Sequence, residues 1–152
     1  MGLFYVGPVR HKVFTKEFME QFKDEHIEVF PGQKAAPNDG LPDNGCGYYS
    51  RKLPYRDWLR LNNAVRAHFN TLEMLPMSIG CVAVTGLKYP WIGFGEGVAI
   101  LIGRIVYLIG YHKGADKRTV GSIISELASA TAGISAIVAC STLYADLKHE
   151  DF

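Results

Sequence analysis

Three polar side chains at helical spacing begin the part of the chain best suited to chemistry. Arg66, Asn70 and Glu73 stand at positions i, i+4 and i+7, so on a helix they form one stripe. They lie at the entrance to a long apolar half of the chain. Charged groups at the edge of a membrane-spanning segment are costly and indicate a functional site by default.

A second polar stripe lies further along the chain. Arg104, Tyr107 and Tyr111 stand at i, i+3 and i+7, and Arg104 lies about 10 Å deeper than Tyr111 by the helical rise. An arginine at that depth needs a carboxylate, an anion or water, so this stripe should face the interior of a bundle. Snorkelling of Arg118 and an interfacial tyrosine belt are the structural alternative. Taken together, the two stripes and Arg118 indicate a polar ligand site.

The residue types define the ligand that such a site would take. The arginines suit carboxylates, Glu73 suits an amine, and Asn70 and the tyrosines suit amide groups. These groups occur together in a short zwitterionic peptide, which would bind at the edge of the membrane. A lipophilic second substrate would reach the site from the bilayer. Glutathione has all of them, although spacing alone does not single it out.

Composition divides the chain into two unlike halves. The net charge is +1 over 152 residues, yet residues 1–68 carry ten of the 16 Lys and Arg and eight of the 15 Asp and Glu. Because acids are interleaved with the bases, the arm has no nucleic-acid footprint, and nucleic acid is not an expected partner. The widely separated cysteines make no metal spacing, so no metal is expected.

The arm should contain a short helix and a loop. Phenylalanines at helical spacing predict an amphipathic helix over residues 13–30, with Thr15 as its N-cap. Residues 31–54 are rich in Pro, Gly, Asn and Asp, which predicts an irregular loop. A helix should then begin at Pro54 and continue into the membrane.

Three apolar segments follow, over roughly residues 63–87, 92–112 and 120–146. Each is close to the ~20 residues that cross a bilayer, and Pro76 should kink the first without breaking it. A soluble four-helix bundle is the alternative, but the third segment has few polar groups on any face. The predicted fold is therefore an all-α integral membrane helical bundle with about three transmembrane helices, preceded by the amphipathic helix and the irregular polar loop.

The predicted organisation has three parts. Residues 1–60 form the polar arm, residues 61–147 the transmembrane domain and residues 148–152 a polar tail. Three spans place the arm and the loop over residues 113–119 on one side of the membrane. The positive-inside rule assigns that basic side to the cytosol or its organellar equivalent.

Two sequence blocks resemble a known family. Residues 66–76, Arg-Ala-His-Phe-Asn-Thr-Leu-Glu-Met-Leu-Pro, are similar to the hallmark of the MAPEG family, the membrane-associated proteins of eicosanoid and glutathione metabolism. Residues 103–111, followed by Lys117-Arg118, resemble its second block. The likeness covers residues 60–145 and is closest to the microsomal glutathione S-transferase branch with the leukotriene-forming members.

The resemblance implies glutathione as a co-substrate, with no metal. Arg118 matches the arginine that stabilises the glutathione thiolate, which would attack a lipophilic electrophile or reduce a lipid hydroperoxide. A free thiol has a pKa near ~8.5, and an adjacent guanidinium favours the nucleophilic anion. Arg104 would be a structural charge inside the membrane. The residues that the resemblance assigns to glutathione binding are Arg66, His68, Asn70, Glu73, Tyr107, Tyr111 and, from a neighbouring subunit, Arg10.

The chain departs from the family pattern in two ways. Met74 stands where the family often has tyrosine, which removes one hydroxyl. Family members have four spans and form homotrimers, whereas here only residues 3–9 could represent the end of the first span. A truncated sequence is one explanation.

Two functions remain in view. The intact polar set favours a glutathione transferase or peroxidase in the endoplasmic reticulum or mitochondrial membrane, forming a homotrimer with lipids and lipophilic small molecules as partners. The missing span and the aromatic arm favour a non-catalytic structural subunit of a larger, hetero-oligomeric membrane complex, such as a mitochondrial respiratory complex.

Overall fold

The computed structural model describes residues 5–150, and within this range the chain is helical with no β-strand. The chain divides into two compact units, Met1–Phe69 and Asn70–Phe152. Residues 3, 4, 151 and 152 of the predicted terminal segments lie outside the described range. The helices are α1 (Gly7–Val13), α2 (Lys16–Glu20), α3 (Lys23–Val29), α4 (Tyr55–Lys88), α5 (Pro90–Lys113) and α6 (Thr119–Glu150).

The first unit has a core of its own. The amphipathic helix predicted over residues 13–30 is present as two shorter helices, α2 and α3, separated by a turn at Gln21. Thr15 caps α2 as predicted, accepting a hydrogen bond from the backbone N–H of Phe18 at 3.2 Å. The break turns Phe22 inward against Tyr49, with ring centroids 4.8 Å apart. The buried core residues are Val13, Phe14, Met19, Phe22, Ala36, Leu61 and Val65.

The loop over residues 31–54 is irregular, as predicted, and a single carboxylate organises its second half. Asp43 Oδ1 accepts hydrogen bonds from the backbone N–H groups of Gly45 (2.7 Å) and Gly47 (2.9 Å). Asp43 Oδ2 accepts one from the backbone N–H of Ser50 at 2.7 Å. Burial alone would raise the pKa of Asp43, but the three backbone donors outweigh it and lower that pKa.

We expect Asp43→Asn to destabilise the first unit by about 2 kcal/mol, because the amide lacks the charge and one acceptor oxygen. The folded state lowers the pKa of Asp43, so this stabilisation is full above the unfolded value of about 3.9 and is lost as the pH falls through the folded value. Amide hydrogen exchange at Gly45, Gly47 and Ser50 measures the effect.

The control for this prediction is Asp39→Asn, which alters a loop carboxylate paired with His11 at the surface. Its exchange rates should stay close to those of the native protein. Equal rates in the two variants would contradict the organising role of Asp43.

The second unit contains the membrane-spanning helices. Pro90–Lys113 and Ala115–His149 are long and apolar enough to cross a membrane, in agreement with the predicted spans over residues 92–112 and 120–146. The span predicted over residues 63–87, which lies within α4, does not reach that standard. That helix, α4, nevertheless continues past Pro76, as predicted.

Large side chains on α5 and α6 point outward, whereas small and polar ones are buried. Leu101, Ile109 and Ile137 are 55%, 53% and 69% exposed. Arg104 is only 7% exposed and Ser125 is fully buried. This is the reverse of a soluble helical bundle and fits helices surrounded by lipid.

Glycines bring the backbones of α5 and α6 into direct contact. A Cβ atom added at Gly103 would lie 2.7 Å from the backbone N of Ser125, and one added at Gly121 would overlap the backbone N of Tyr107. Close packing at small residues is the main attraction between helices in lipid, where the hydrophobic effect is absent.

We therefore expect Gly121→Ala to destabilise the bundle by about 3 kcal/mol, since neither backbone can yield. Gly133→Ala is the matched control on the same helix, because an added Cβ there meets nothing within 4 Å. Thermal unfolding of both variants in detergent measures the difference. Similar unfolding temperatures for the two would show that the α5–α6 contact is not tight.

Candidate functional site

Arg118 and Tyr111 form the outermost pair of a polar cluster in the second unit. Arg118 ends the short 3₁₀ turn Ala115–Arg118 that joins α5 to α6. Its Nη1 donates a hydrogen bond to Tyr111 Oη at 2.8 Å, and its guanidinium carbon lies 5.0 Å from the Tyr111 ring centroid. Tyr111 is buried and Arg118 is half-buried, so the cation lies at the mouth of the cluster.

Asn70 and Tyr107 form the next pair inward. Asn70 Nδ2 donates a hydrogen bond to Tyr107 Oη at 2.7 Å, which joins α4 to α5. Tyr107 is buried, and its ring meets that of Tyr111 edge-on with centroids 5.4 Å apart. The structure thus brings together four of the residues that the sequence predicted to meet. Their part in binding a ligand stays a prediction.

Arg104 is the deepest charge of the cluster. Its guanidinium carbon lies 5.3 Å from the Tyr107 ring centroid, and Nη2 contacts the sulfur of Met74. Among residues 5–150, no carboxylate forms an ion pair with it. A thioether is only a weak acceptor, and the nearest carboxylate that interacts with Arg104, that of Glu126, acts on it at a distance without a direct ion pair. Arg104 and Arg118 therefore make the tyrosine pair a region that attracts anions.

The remaining residue predicted for ligand binding in this unit is Glu73. It is exposed, and within the described range its carboxylate has neither an ion pair nor a hydrogen bond. A free, solvated carboxylate at this position can accept a hydrogen bond from the amino group of a ligand without first breaking a contact within the protein.

Three other predicted residues lie in the first unit. Arg66 is exposed, and His68 is half-buried, with no hydrogen-bond partner for its Nδ1 in the described part of the chain. Arg10 is buried, where it donates to the carbonyl oxygen of Asp39 at 3.2 Å and to Asn44 Oδ1 at 2.8 Å. The guanidinium of Arg10 is thus engaged by the loop of its own chain.

A cavity of about 530 Å³ in the first unit was not predicted. Its walls are formed by loop residues 42–49 and by the part of α4 that holds Arg66, and the pattern of the sequence did not bring these two stretches together. Asn62 Nδ2 fixes one wall by donating to the carbonyl oxygen of Gly45 at 2.9 Å. The residues that line the cavity are Pro42, Asp43, Asn44, Cys46, Gly47, Tyr48, Tyr49, Asn62, Val65, Arg66 and Phe69.

Comparison with protein families agrees with the resemblance noted in the sequence. The model of the MAPEG family matches residues 23–138, which is more than half of the chain. The matched range includes all of α4 and α5 and the first two thirds of α6, and thus every residue of the polar cluster.

We expect Tyr107→Phe to lower the free energy of unfolding by about 1 kcal/mol, because the half-buried amide of Asn70 loses its acceptor. Tyr144→Phe is the control, since that ring is 71% exposed on α6. Unfolding in detergent of Tyr107→Phe, of Asn70→Ala and of the two combined measures the coupling between these side chains. Additive losses would contradict the hydrogen bond.

Proposed function

The chain belongs to the MAPEG family, and we propose that it is a membrane-bound glutathione transferase or peroxidase for lipophilic substrates. The observation that carries the proposal is the Arg118–Tyr111 pair, in which a guanidinium and a phenol meet at 2.8 Å at the mouth of a buried polar cluster. The proposed setting is the endoplasmic reticulum or mitochondrial membrane, and the proposed assembly is a homotrimer.

In this proposal, Arg118 stabilises the thiolate of glutathione. An isolated thiol is mostly protonated at neutral pH, and a guanidinium beside the sulfur shifts the balance toward the anion. Because Tyr111 accepts the hydrogen bond from Arg118, its own O–H remains available to donate to the sulfur. The thiolate then forms a C–S bond with an electrophilic carbon, and the leaving group departs with the electron pair.

The other residues of the cluster orient the peptide. The positive charge of Arg104, which has no direct ion pair among the described residues, draws an anionic ligand inward, and the Asn70 amide offers hydrogen bonds to the peptide backbone. Glu73, exposed and unpaired within the described range, suits the α-amino group. Contacts of glutathione with Arg66, His68 and Arg10 rest on the family resemblance.

A second candidate function has support in the first unit. The first unit has a core of its own, and it also exposes apolar side chains on its surface. Among them are Val29 (64% exposed), Phe30 (50%) and Tyr55 (73%). Such groups on a folded arm favour docking onto another protein. In that case the chain is a non-catalytic subunit of a larger membrane complex.

Glutathione binding in detergent, followed by calorimetry and by the ultraviolet absorbance of the thiolate, separates the two functions. We expect the native protein to bind glutathione as the thiolate. Arg118→Ala should lose the thiolate signal, Arg118→Lys should retain part of it, and Glu73→Ala should bind at least tenfold more weakly.

Lys117→Ala is the control, because it removes a neighbouring cation from the same turn. It should bind and ionise glutathione as the native protein does. Folded native protein that binds no glutathione would overturn the enzymatic proposal and leave the structural subunit as the better account.

A further inference from the structure

A second polar feature of the membrane bundle is not used by the proposed reaction. Glu96 on α5 is 8% exposed, and neither carboxylate oxygen has a hydrogen-bond partner within residues 5–150. Thr85 on α4 is fully buried, and its hydroxyl also lacks a partner there. An unpaired carboxylate in the interior of a membrane bundle is very costly, so a ligand is expected.

Helix packing places these two orphan groups at one seam. Gly93 packs onto α4, where an added Cβ would lie 2.9 Å from the backbone N of Gly86. One turn later on α5, a Cβ added at Gly97 would lie 3.6 Å from Cγ1 of Val82 on α4. Thr85 immediately precedes Gly86, and Glu96 immediately precedes Gly97. In antiparallel helices, these positions lean toward the same side of the seam.

Small side chains of α6 are buried at the corresponding level of the bundle. Ala132 and Ala139 are fully buried, and Ala136 is 9% exposed. Alanine neither offers a donor to a carboxylate nor fills much space. The glycine seam also leaves the carbonyl oxygen of Val82 facing α5, 3.0 Å from where a Cβ on Gly93 would lie.

We propose that Glu96 and Thr85 bind a monovalent, oxygen-seeking cation such as sodium in the interior of the membrane bundle. Every side-chain atom available to coordinate an ion is an oxygen atom, which favours hard cations. One carboxylate balances one positive charge, whereas a divalent ion would leave a buried net charge. A single proton would neutralise Glu96 but would leave the Thr85 hydroxyl and one carboxylate oxygen without a partner. In the proposed site, both Glu96 oxygens and the Thr85 hydroxyl coordinate the cation.

Thermal unfolding of the full chain in detergent tests this site, with sodium, potassium or choline chloride at equal ionic strength. Sodium or potassium should raise the unfolding temperature over choline by roughly 5 °C at about 100 times the dissociation constant. The same unfolding temperature in all three salts would overturn the proposal.

Variants identify the ligands. Glu96→Gln keeps the shape but should abolish the cation dependence, and Thr85→Val should raise the cation concentration needed about tenfold. Ser78→Ala is the control, because that buried hydroxyl on α4 already pairs with Ser129 at 3.1 Å. It should keep the native cation dependence. If Glu96→Gln fails to fold, the unfolding of Thr85→Val is the decisive test. A cation dependence equal to that of the native protein in this variant would overturn the proposed site.

Carbodiimide labelling of Glu96, followed by mass spectrometry of the native protein, gives an independent test. Sodium should protect Glu96 from the reagent at least fivefold compared with choline. Equal labelling in both salts would mean that the carboxyl group holds a proton, which would overturn the proposed cation site.

Discussion

The bilayer supplies no hydrogen-bond partners, and this constraint determines which way the polar side chains of the second unit point. Asn70 and Tyr107 find partners in each other inside the bundle, which requires the helices to approach closely there. Gly121 permits that approach by letting α6 rest on the backbone of Tyr107. Because Tyr107 is held inside, Asn70 on α4 can donate to its hydroxyl, and the polar cluster forms around that bond.

Features that depend on local chemistry could be predicted from the sequence. Thr15 caps a helix because its hydroxyl reaches a backbone N–H three residues away. The stripe that contains Tyr107 follows from helical periodicity, and the high cost of placing Arg104 at that depth in a membrane predicted that it faces inward. In the stripe that contains Asn70, by contrast, Arg66 and Glu73 are exposed. Pro76 lies within a continuous helix because a bundle can satisfy the freed backbone group.

Features that depend on contacts distant in the chain could not be predicted. The break between α2 and α3 exists because Phe22 packs against Tyr49, 27 residues later. Asp43 lies among ordinary turn residues, and only the folded loop brings three N–H groups to its carboxylate. Spacing likewise gave no indication that Arg10 is held by the carbonyl of Asp39.

Opposite charges on α5 are kept apart by their spacing along the helix. Arg104 and Glu96 stand eight residues apart, about 12 Å along the helix, so they cannot pair directly. Arg104 contacts a thioether and an aromatic ring and feels the Glu126 carboxylate only at a distance, and Glu96 finds no donor among the described residues. Two separated charges without a direct ion pair in one bundle create opposite local potentials. One region therefore suits an anionic ligand and the other a cation, and neutralising each charge in place adds stability that the helices alone do not provide.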